Sequence, residues 1–443
     1  MKFKFSDAVI INPKEKLKKG SILKKISMQD IQENVRNIKN YNEESFSGGS
    51  KFRNKDTLFA RITPCLENGK IAQVNMLLDE EVAFGSTEFI VFRAKKEITI
   101  PDYVYFLSKW DYVREKAIKS MTGTSGRQRV QNDIFNEITI DIPNLNIQKR
   151  ISVLLNSFDE KIEVNNKIIA NLEEQAQAIF KSWFVDFEPF QDGNFVESEL
   201  GMIPEGWKVS TIKELSKKII TGKTPSTKVK EYYGDKTPFI TIPDMHNKIF
   251  VIESERHLSK EGEESQKNKT LPPNTVCISC IATVGLVSLT YGYSQTNQQI
   301  NSVIPKKDYY LYYIFLNLRN MNKYLEALGS SGSTTKNINK KTFETIKILM
   351  PEENILKKFH IFCKKIFELI KNCQVENKKL AEIRDALLPK LMSGEIDVSN
   401  IKIKGEEVKN EWNLFRRWFW KNFYKIYWGL RLPLPPSPRT CKR

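Results

Sequence analysis

Two long segments place an apolar or small residue at alternating steps of four and three. The first runs through Ile151, Leu155, Phe158, Ile162, Asn165, Ile169, Leu172, Ala176, Ile179 and Trp183. The second runs through Phe359, Cys363, Ile366, Ile370, Cys373, Asn377, Leu380, Arg384, Leu387 and Leu391. A period of 3.5 predicts helices that pair along a heptad seam. Each seam carries one amide, Asn165 or Asn377, of the kind that fixes register and partner. The second seam weakens at Arg384 and Pro389. A helix of roughly 38 residues is about 57 Å long at 1.5 Å per residue.

The stretches before these helices have a different texture. Short β-rich runs such as EFIVFRA (Glu88–Ala94) and TPFITIP (Thr237–Pro243) are broken by Gly, Pro and Asn. Helical pieces such as PDYVYFLSKWDYVREKAIKS (Pro101–Ser120) lie among them. The fold class is therefore α+β, with two globular domains alternating with two long helices. The expected boundaries are 1–145 and 209–353 for the domains, 146–186 and 354–393 for the helices, 187–208 for a Gly- and Pro-containing linker, and 394–443 for a disordered tail.

The two halves are a repeat. At a constant offset of 208, Ser125 matches Ser333, Phe135 matches Phe343, Ile138 matches Ile346 and Pro143 matches Pro351. The register continues through Leu172 with Leu380 and Ile179 with Leu387. Upstream the offset drifts, as loop insertions would make it. There Asp56–Ile62 falls near Asn274–Cys280, and Ser86–Phe89 near Thr296–Gln299. Paired helices would make the repeated body approximately two-fold.

Charge narrows the choice of partner. The formal net charge is +17, which favours a polyanion, nucleic acid before a membrane surface. Beyond residue 400, eleven Lys and Arg meet three acids, so the tail holds +8 of that surplus. The segment from Glu411 also holds four of the seven Trp and follows no regular period. Six scattered Cys form no disulfide framework, no apolar run approaches a membrane span, and the first residues lack a signal-peptide core. A reducing cytoplasm is the expected compartment.

Catalytic motifs are missing. Three scattered His suit neither a triad nor a His-based metal site. CISC (Cys277–Cys280) has zinc spacing but no second pair, and its counterpart in the repeat is an apolar strand. TGKT (Thr221–Thr224) resembles the end of a P-loop, but Lys217 stands where its first Gly belongs. Asp244 and Glu253 only faintly echo a nuclease carboxylate pair. No metal or cofactor is expected on this chain.

Recognition is what remains. The loops GTSGRQRV and GSSGSTTKN set Gly and hydroxyl residues beside cations or amides. Such backbone can approach phosphates, Arg can take guanine edges, and Asn or Gln adenine edges. Arg127, Gln128 and Arg129 in one copy stand against Thr335, Lys336 and Asn337 in the other. Different side chains on a shared frame are what two half-site readers need. Arg61, Lys70, Lys223, Asn297 and Gln298 are further candidates for DNA contact. A coiled-coil adaptor without DNA specificity, and a fused methyltransferase or nuclease, are the rival readings.

Several phrases make the sequence similar to the specificity subunits of type I restriction–modification systems. They are LFARITPCLENGKIAQV (Leu58–Val74), GSTEFIVFRAK (Gly85–Lys95), IPEGWKV (Ile203–Val209), TNQQIN (Thr296–Asn301) and IRDALLPKLMSGEIDV (Ile383–Val398). The resemblance covers Met1 to Val398. It implies two target-recognition domains, each reading half of a bipartite site in double-stranded DNA, and two helices paired as an antiparallel coiled coil. It also implies docking of two modification subunits, which bring S-adenosylmethionine, and of restriction subunits that use ATP and Mg. For docking and pairing it points to the seam residues, together with an aromatic cluster of Trp183, Phe184 and Phe187 expected to face a partner. It assigns no role to the tail from Glu411.

Overall fold

The computed structural model describes residues 2–124, 126–330 and 337–399. Two 40-residue helices dominate it, Leu145–Phe184 and Glu353–Met392. Their limits differ by 208 at both ends, the same offset as the sequence repeat. The described chain divides into two compact units. The first joins residues up to 163 with 377–399, and the second is the continuous stretch 164–376. Each long helix therefore gives one half to each unit.

In the first unit a sheet orders its strands Val9–Ile11, Phe89–Ala94, Thr57–Ala60 and Ile71–Gln73. A second sheet orders Asn42–Ser45, Ile22–Ile26, Val82–Gly85 and Ser50–Arg53. Strand Thr57–Ala60 is buried on both faces, which explains its continuous apolar run. Phe59 points to a core with Phe5, Phe92 and Phe135, ring centroids 5.0–6.0 Å apart. Its neighbour Leu58 points the other way, to Ile26, Phe52 and Val91. Helices Pro101–Lys109 and Asp111–Lys119 cover the Phe59 side.

The second unit repeats the plan. Strands Ser216–Thr221, Ile300–Pro305 and Val276–Ser279 lie in the places of Val9–Ile11, Phe89–Ala94 and Thr57–Ala60. Ile278 joins the core shared with the helices and Cys277 joins the opposite one. The amide of Phe5 donates to the Ile138 carbonyl at 2.8 Å, and that of Ile212 to Ile346 at 3.0 Å. The strand register corrects the alignment read upstream. Ala60 lies opposite Phe89 and Ser279 opposite Ile300, so Phe59 corresponds to Ile278 and Glu88 to Gln299. This is one residue away from the sequence match. In a strand that slip exchanges the two faces, so only the structural register puts equivalent residues in equivalent cores.

The helices touch each other in descending order of one against ascending order of the other. In the first unit Arg384 pairs with Asp159, and Arg150, earlier in the first helix, donates at 3.2 Å to the carbonyl of Val398, six residues beyond the second. In the second unit Asn165 donates to Glu376 at 2.8 Å, while the ring of Phe184 lies 4.8 Å from that of Phe359. The two helices thus run antiparallel within each unit. Ile151, Leu155, Asn165, Leu172, Ile366 and Ile370 are buried, whereas Phe158, Ile162, Ile169, Asn377, Leu380 and Leu387 are half-buried.

Three expectations change. Trp183 and Phe184 do not face a partner. They are buried against Phe359, Tyr313 and Trp207 in the second unit's own core, and the half-buried Phe187 packs on Trp207. The segment 187–208 is no loose linker. It holds the hairpin Phe195–Ser198 with Gly201–Pro204, and Ile203 and Trp207 anchor it in the core. The start of the expected tail is also built in, because Val398 is 1% exposed in the first unit's core. Residues 400–443 lie outside the described residues.

Arg384, where the second seam weakens, is 4% exposed and bound by Asp159 and Asp385. Burial opposes its charge, but the bond to Asp385 and attraction to both acids outweigh burial and raise its pKa. Nearby, the Lys109 ammonium is buried without a hydrogen-bond partner. It lines a cavity of about 270 Å³ with Asp111, Arg114, Asp385 and Leu388. Burial, and then Arg384, pull its pKa down to about 8. The folded state therefore resists protonating Lys109. That penalty is fully present below pH 8 and fades as pH rises towards the unfolded value near 10.5. Lys109→Met should stabilise the first unit by about 1–3 kcal/mol at pH 7 and by much less at pH 10, measured by urea unfolding followed with a probe in that unit at both values. An equal gain at both pH values would show that the charge is not the cause.

Candidate nucleic-acid interface

In the first unit the loop after Lys119 folds back on itself. Thr122 and Arg129 exchange backbone hydrogen bonds of 3.1 and 2.9 Å. Gly123 sits at φ 129°, and an added Cβ would lie 3.0 Å from the Arg127 carbonyl, so the turn needs glycine there. The returning arm docks on the end of the central strand. Thr63 donates to the Gln128 carbonyl at 3.0 Å, and Val130 to the Arg61 carbonyl at 2.8 Å. Buried Val130 anchors the arm and leaves Thr124, Gly126 and Arg127 exposed at the tip.

The candidate residues in this unit divide by what holds them. Arg127 is exposed, and among the described residues its guanidinium has no partner. Gln128 is half-buried, and its backbone does the docking. Arg129 makes a forked pair with Glu88 at 2.7–3.0 Å, and that hydrogen bonding raises its pKa. Arg61 donates to the Val130 carbonyl at 2.7 Å, and Lys70 to the Met28 carbonyl at 3.0 Å. The last two are cross-ties within the unit, bound through their own cationic groups.

The second unit uses the same frame. Asn337 bridges Ile281 as Arg129 bridges Ile62, and Ile338 donates to the Cys280 carbonyl at 2.8 Å as Val130 does to Arg61. Asn337 is exposed. Thr335 and Lys336 lie outside the described residues. Asn297 is 9% exposed and turned inward, donating to the Gln299 side chain at 2.9 Å and accepting from its backbone at 3.1 Å. It closes a turn. Gln298 is exposed, and its side-chain carbonyl accepts from Thr224 at 2.7 Å, which leaves its amide group turned to solvent. Exposed Lys223 lies beside it, its backbone donating to the Thr296 carbonyl at 2.9 Å.

The motif around Lys223 has its own explanation. A Cβ on Gly222 would lie 2.2 Å from the Asn297 carbonyl and 2.3 Å from that of Thr296. Glycine is needed for close strand packing, not to cradle a phosphate. CISC is likewise a core strand. Cys277 and Cys280 enter opposite cores, and burial pushes their thiols up to about 12 and about 11. Asp244 is a helix cap, both oxygens accepting: one from Thr241, the other from the Glu255 amide at 2.8 Å.

The structure adds lysines that no local motif marks. Lys269 donates to the Thr221 carbonyl at 2.8 Å, and Lys218 approaches the Asn268 carbonyl at 3.5 Å. Partial burial, and then Lys340, Lys218 and Lys223, lower the Lys269 pKa, so four cations share one neighbourhood. They are separated in sequence and meet only through the sheet. The one local hint is KK within the strand Ser216–Thr221.

No helix of the described residues is long and apolar enough to cross a membrane. The chain matches the model of the type I restriction modification DNA specificity domain twice, over residues 3–174 and 204–384. It is 36% identical over 407 residues to the type I restriction enzyme HindI specificity subunit of Haemophilus influenzae, covering 77% of this chain and 86% of the relative. It is 28% identical over 315 residues to the MjaIX specificity subunit of Methanocaldococcus jannaschii, covering 69% and 71%. A solved type I restriction–modification S subunit from M. genitalium covers 90% of this chain and 96% of its own, at 15% identity and a TM-score of 0.49. Two matched domains that fill both halves of the sequence place this chain in the type I restriction–modification DNA-specificity family.

Proposed function

We propose that this chain is the non-catalytic DNA-recognition subunit of a type I restriction–modification complex. Each globular unit reads one half of a bipartite site in double-stranded DNA. Two modification subunits, carrying S-adenosylmethionine, dock on the chain and methylate adenine at the chosen site. Restriction subunits, using ATP and Mg, join them to cleave unmodified DNA in the cytoplasm. The long helices serve as an antiparallel coiled-coil spacer and docking surface.

One observation carries this reading. The same backbone frame occurs in both units with different side chains at its exposed edge, Arg129 bridging Ile62 and Asn337 bridging Ile281. A fixed frame with varied polar edges suits two readers of different base sequences. Beside that edge, the Arg127 guanidinium is exposed and uncommitted among the described residues.

The test is to co-express the chain with its modification subunit and map methylated adenines in the host DNA. Methylation should fall within two fixed sequence elements at a constant gap. Methylation by the chain alone, or without sequence preference, would overturn the reading. In the same complex Arg127→Ala should weaken DNA binding by about 1–3 kcal/mol. Arg129→Ala should cost less, because Glu88 already holds that side chain. Unchanged affinity in Arg127→Ala would remove the loop tip from the interface.

A further inference from the structure

We propose that Lys218, Lys223 and Lys269, backed by Lys340, form a phosphate-binding surface for the DNA backbone on the second unit. The proposal rests on the reading of this chain as a DNA-binding subunit and says where one half of it grips.

The geometry gathers the four side chains around one strand. Lys218 is an exposed residue of the strand Ser216–Thr221, and Lys223 follows two residues after its end. Lys269 lies across from that end, its ammonium hung on the Thr221 carbonyl at 2.8 Å. Lys218 reaches back towards the carbonyl of Asn268, the residue before Lys269, at 3.5 Å. Lys340 opens the short helix Lys340–Glu344 and is close enough to Lys269 to depress its pKa.

The surface is also short of acids. Among the described residues Lys218, Lys223 and Lys269 have no carboxylate partner, and only Lys340 faces one, Glu344 at 3.5 Å. Three lysines elsewhere in this unit are paired: Lys213 with Glu344, Lys260 with Glu264 and Lys347 with Glu199. Gathering like charges without counter-ions opposes folding, and a bound polyanion reverses the sign of that energy. Lys269 is the most telling member. Part-burial and the neighbouring cations disfavour its charge, and a bound anion offsets that cost.

The first unit fills three of the matching places with other residues. Lys218 lies opposite Ile304 in its ladder, and the residue in that place in the first unit is Ile10, opposite Arg93 and 41% exposed. Five residues on, where the second unit has Lys223, the first has Glu15, bound by Arg53 and Arg93. At the offset of 208, Lys340 corresponds to Asn132. Lys14 and Lys16 flank Glu15 and are exposed, so the copies differ at these three places and not in the charge of the whole segment.

The test measures DNA affinity of the chain assembled with its modification subunits, across salt concentrations, on a duplex with its site and on one without. Removing three cations, with Lys218→Gln, Lys223→Gln and Lys269→Gln together, should reduce the slope of log K against log salt by about 2.7, at ~0.9 per phosphate contact. The variant then loses roughly 40-fold less affinity than wild type between ~50 and ~200 mM salt. The drop should appear on both duplexes, and the methylated sequence should not change. Lys223→Gln alone, at an exposed position, should lower the slope by about one. The control Lys213→Gln, Lys260→Gln and Lys347→Gln removes the same charge from paired positions and should leave most of the slope. An unchanged slope in the triple variant, or an equal drop in the control, overturns the proposal while leaving the recognition role intact. A wild-type complex that does not distinguish the two duplexes overturns that role, and the proposal with it.

Discussion

Arg384→Met should destabilise the first unit by about 3–5 kcal/mol, the usual cost of breaking a buried ion pair from one side. Arg384 is 4% exposed at a position where the heptad asks for a hydrophobe. Its removal strands Asp159, whose side chain is 11% exposed and whose second oxygen already lacks a hydrogen-bond partner. Arg384→Met combined with Asp159→Leu should recover most of the loss, since apolar replacement of a whole buried pair is often neutral or stabilising. A chain with two units need not unfold in one step, so a single midpoint would mislead. The measurement is amide exchange in urea along strand Phe89–Ala94, which lies in the first unit's central sheet. Wild-type protection in the single variant would show that the pair does not hold the helices in register. Equal loss in the single and double variants would show that packing by the Arg stem matters more than its charge.

Exchange of the second globular unit should change one half of the methylated sequence and leave the other half intact. The segment to exchange follows from the strands. Lys208–Thr211 and Lys347–Met350 pair with each other and close the domain, so both belong to the transplanted piece. A cut at Val209 and Ile346 would divide that ladder. The donor must also carry an aromatic face like that of Trp207 and Tyr313, because Phe184 and Phe359 of the long helices pack on this side of the domain. A donor lacking those rings would leave a cavity costing about 3–5 kcal/mol for each lost aromatic. The readout is methylation mapping in cells expressing the exchanged chain with its modification subunit. An active exchange that altered both half-sites would show that the two units do not read independently.

Much of this organisation was legible before any coordinates. The offset of 208 marks both limits of both long helices, because each starts just after a Pro that ends a strand and each keeps its seam for about eleven turns. Phe135 and Phe343 are both fully buried, as matched residues ahead of a shared strand should be. Upstream, insertions remove the constant offset, and apolar residues on both faces of Thr57–Ala60 and Val276–Ser279 leave no alternation to fix the register. The one-residue slip follows from that. Trp183 and Phe184 look like an exposed sticky end because the sequence does not show that Tyr313 and Trp207 come back to cover them. Arg384 looks like a flaw in a heptad because its partner Asp159 lies 225 residues away. The cation cluster is invisible for a similar reason: Lys218, Lys269 and Lys340 are neighbours only across a folded sheet.

The division of the chain into a continuous second unit and an interrupted first one sets an order of events on the ribosome. Residues 164–376 contain everything the second unit's core needs, so that unit can close as soon as its last helical half emerges. The first unit is made earlier but cannot finish, because Leu388, Leu391, Met392 and Val398 of its core come last. At about 5–20 residues per second, more than 200 residues separate its two parts by roughly 10–40 s. For that interval the nascent amino-terminal domain holds an open apolar face, with Ile151 and Leu155 waiting for a strand of chain not yet translated. The later-made domain is the earlier to mature. A ribosome that stops after codon 376 and before codon 388 would release a product that has one finished reader and one that is still open.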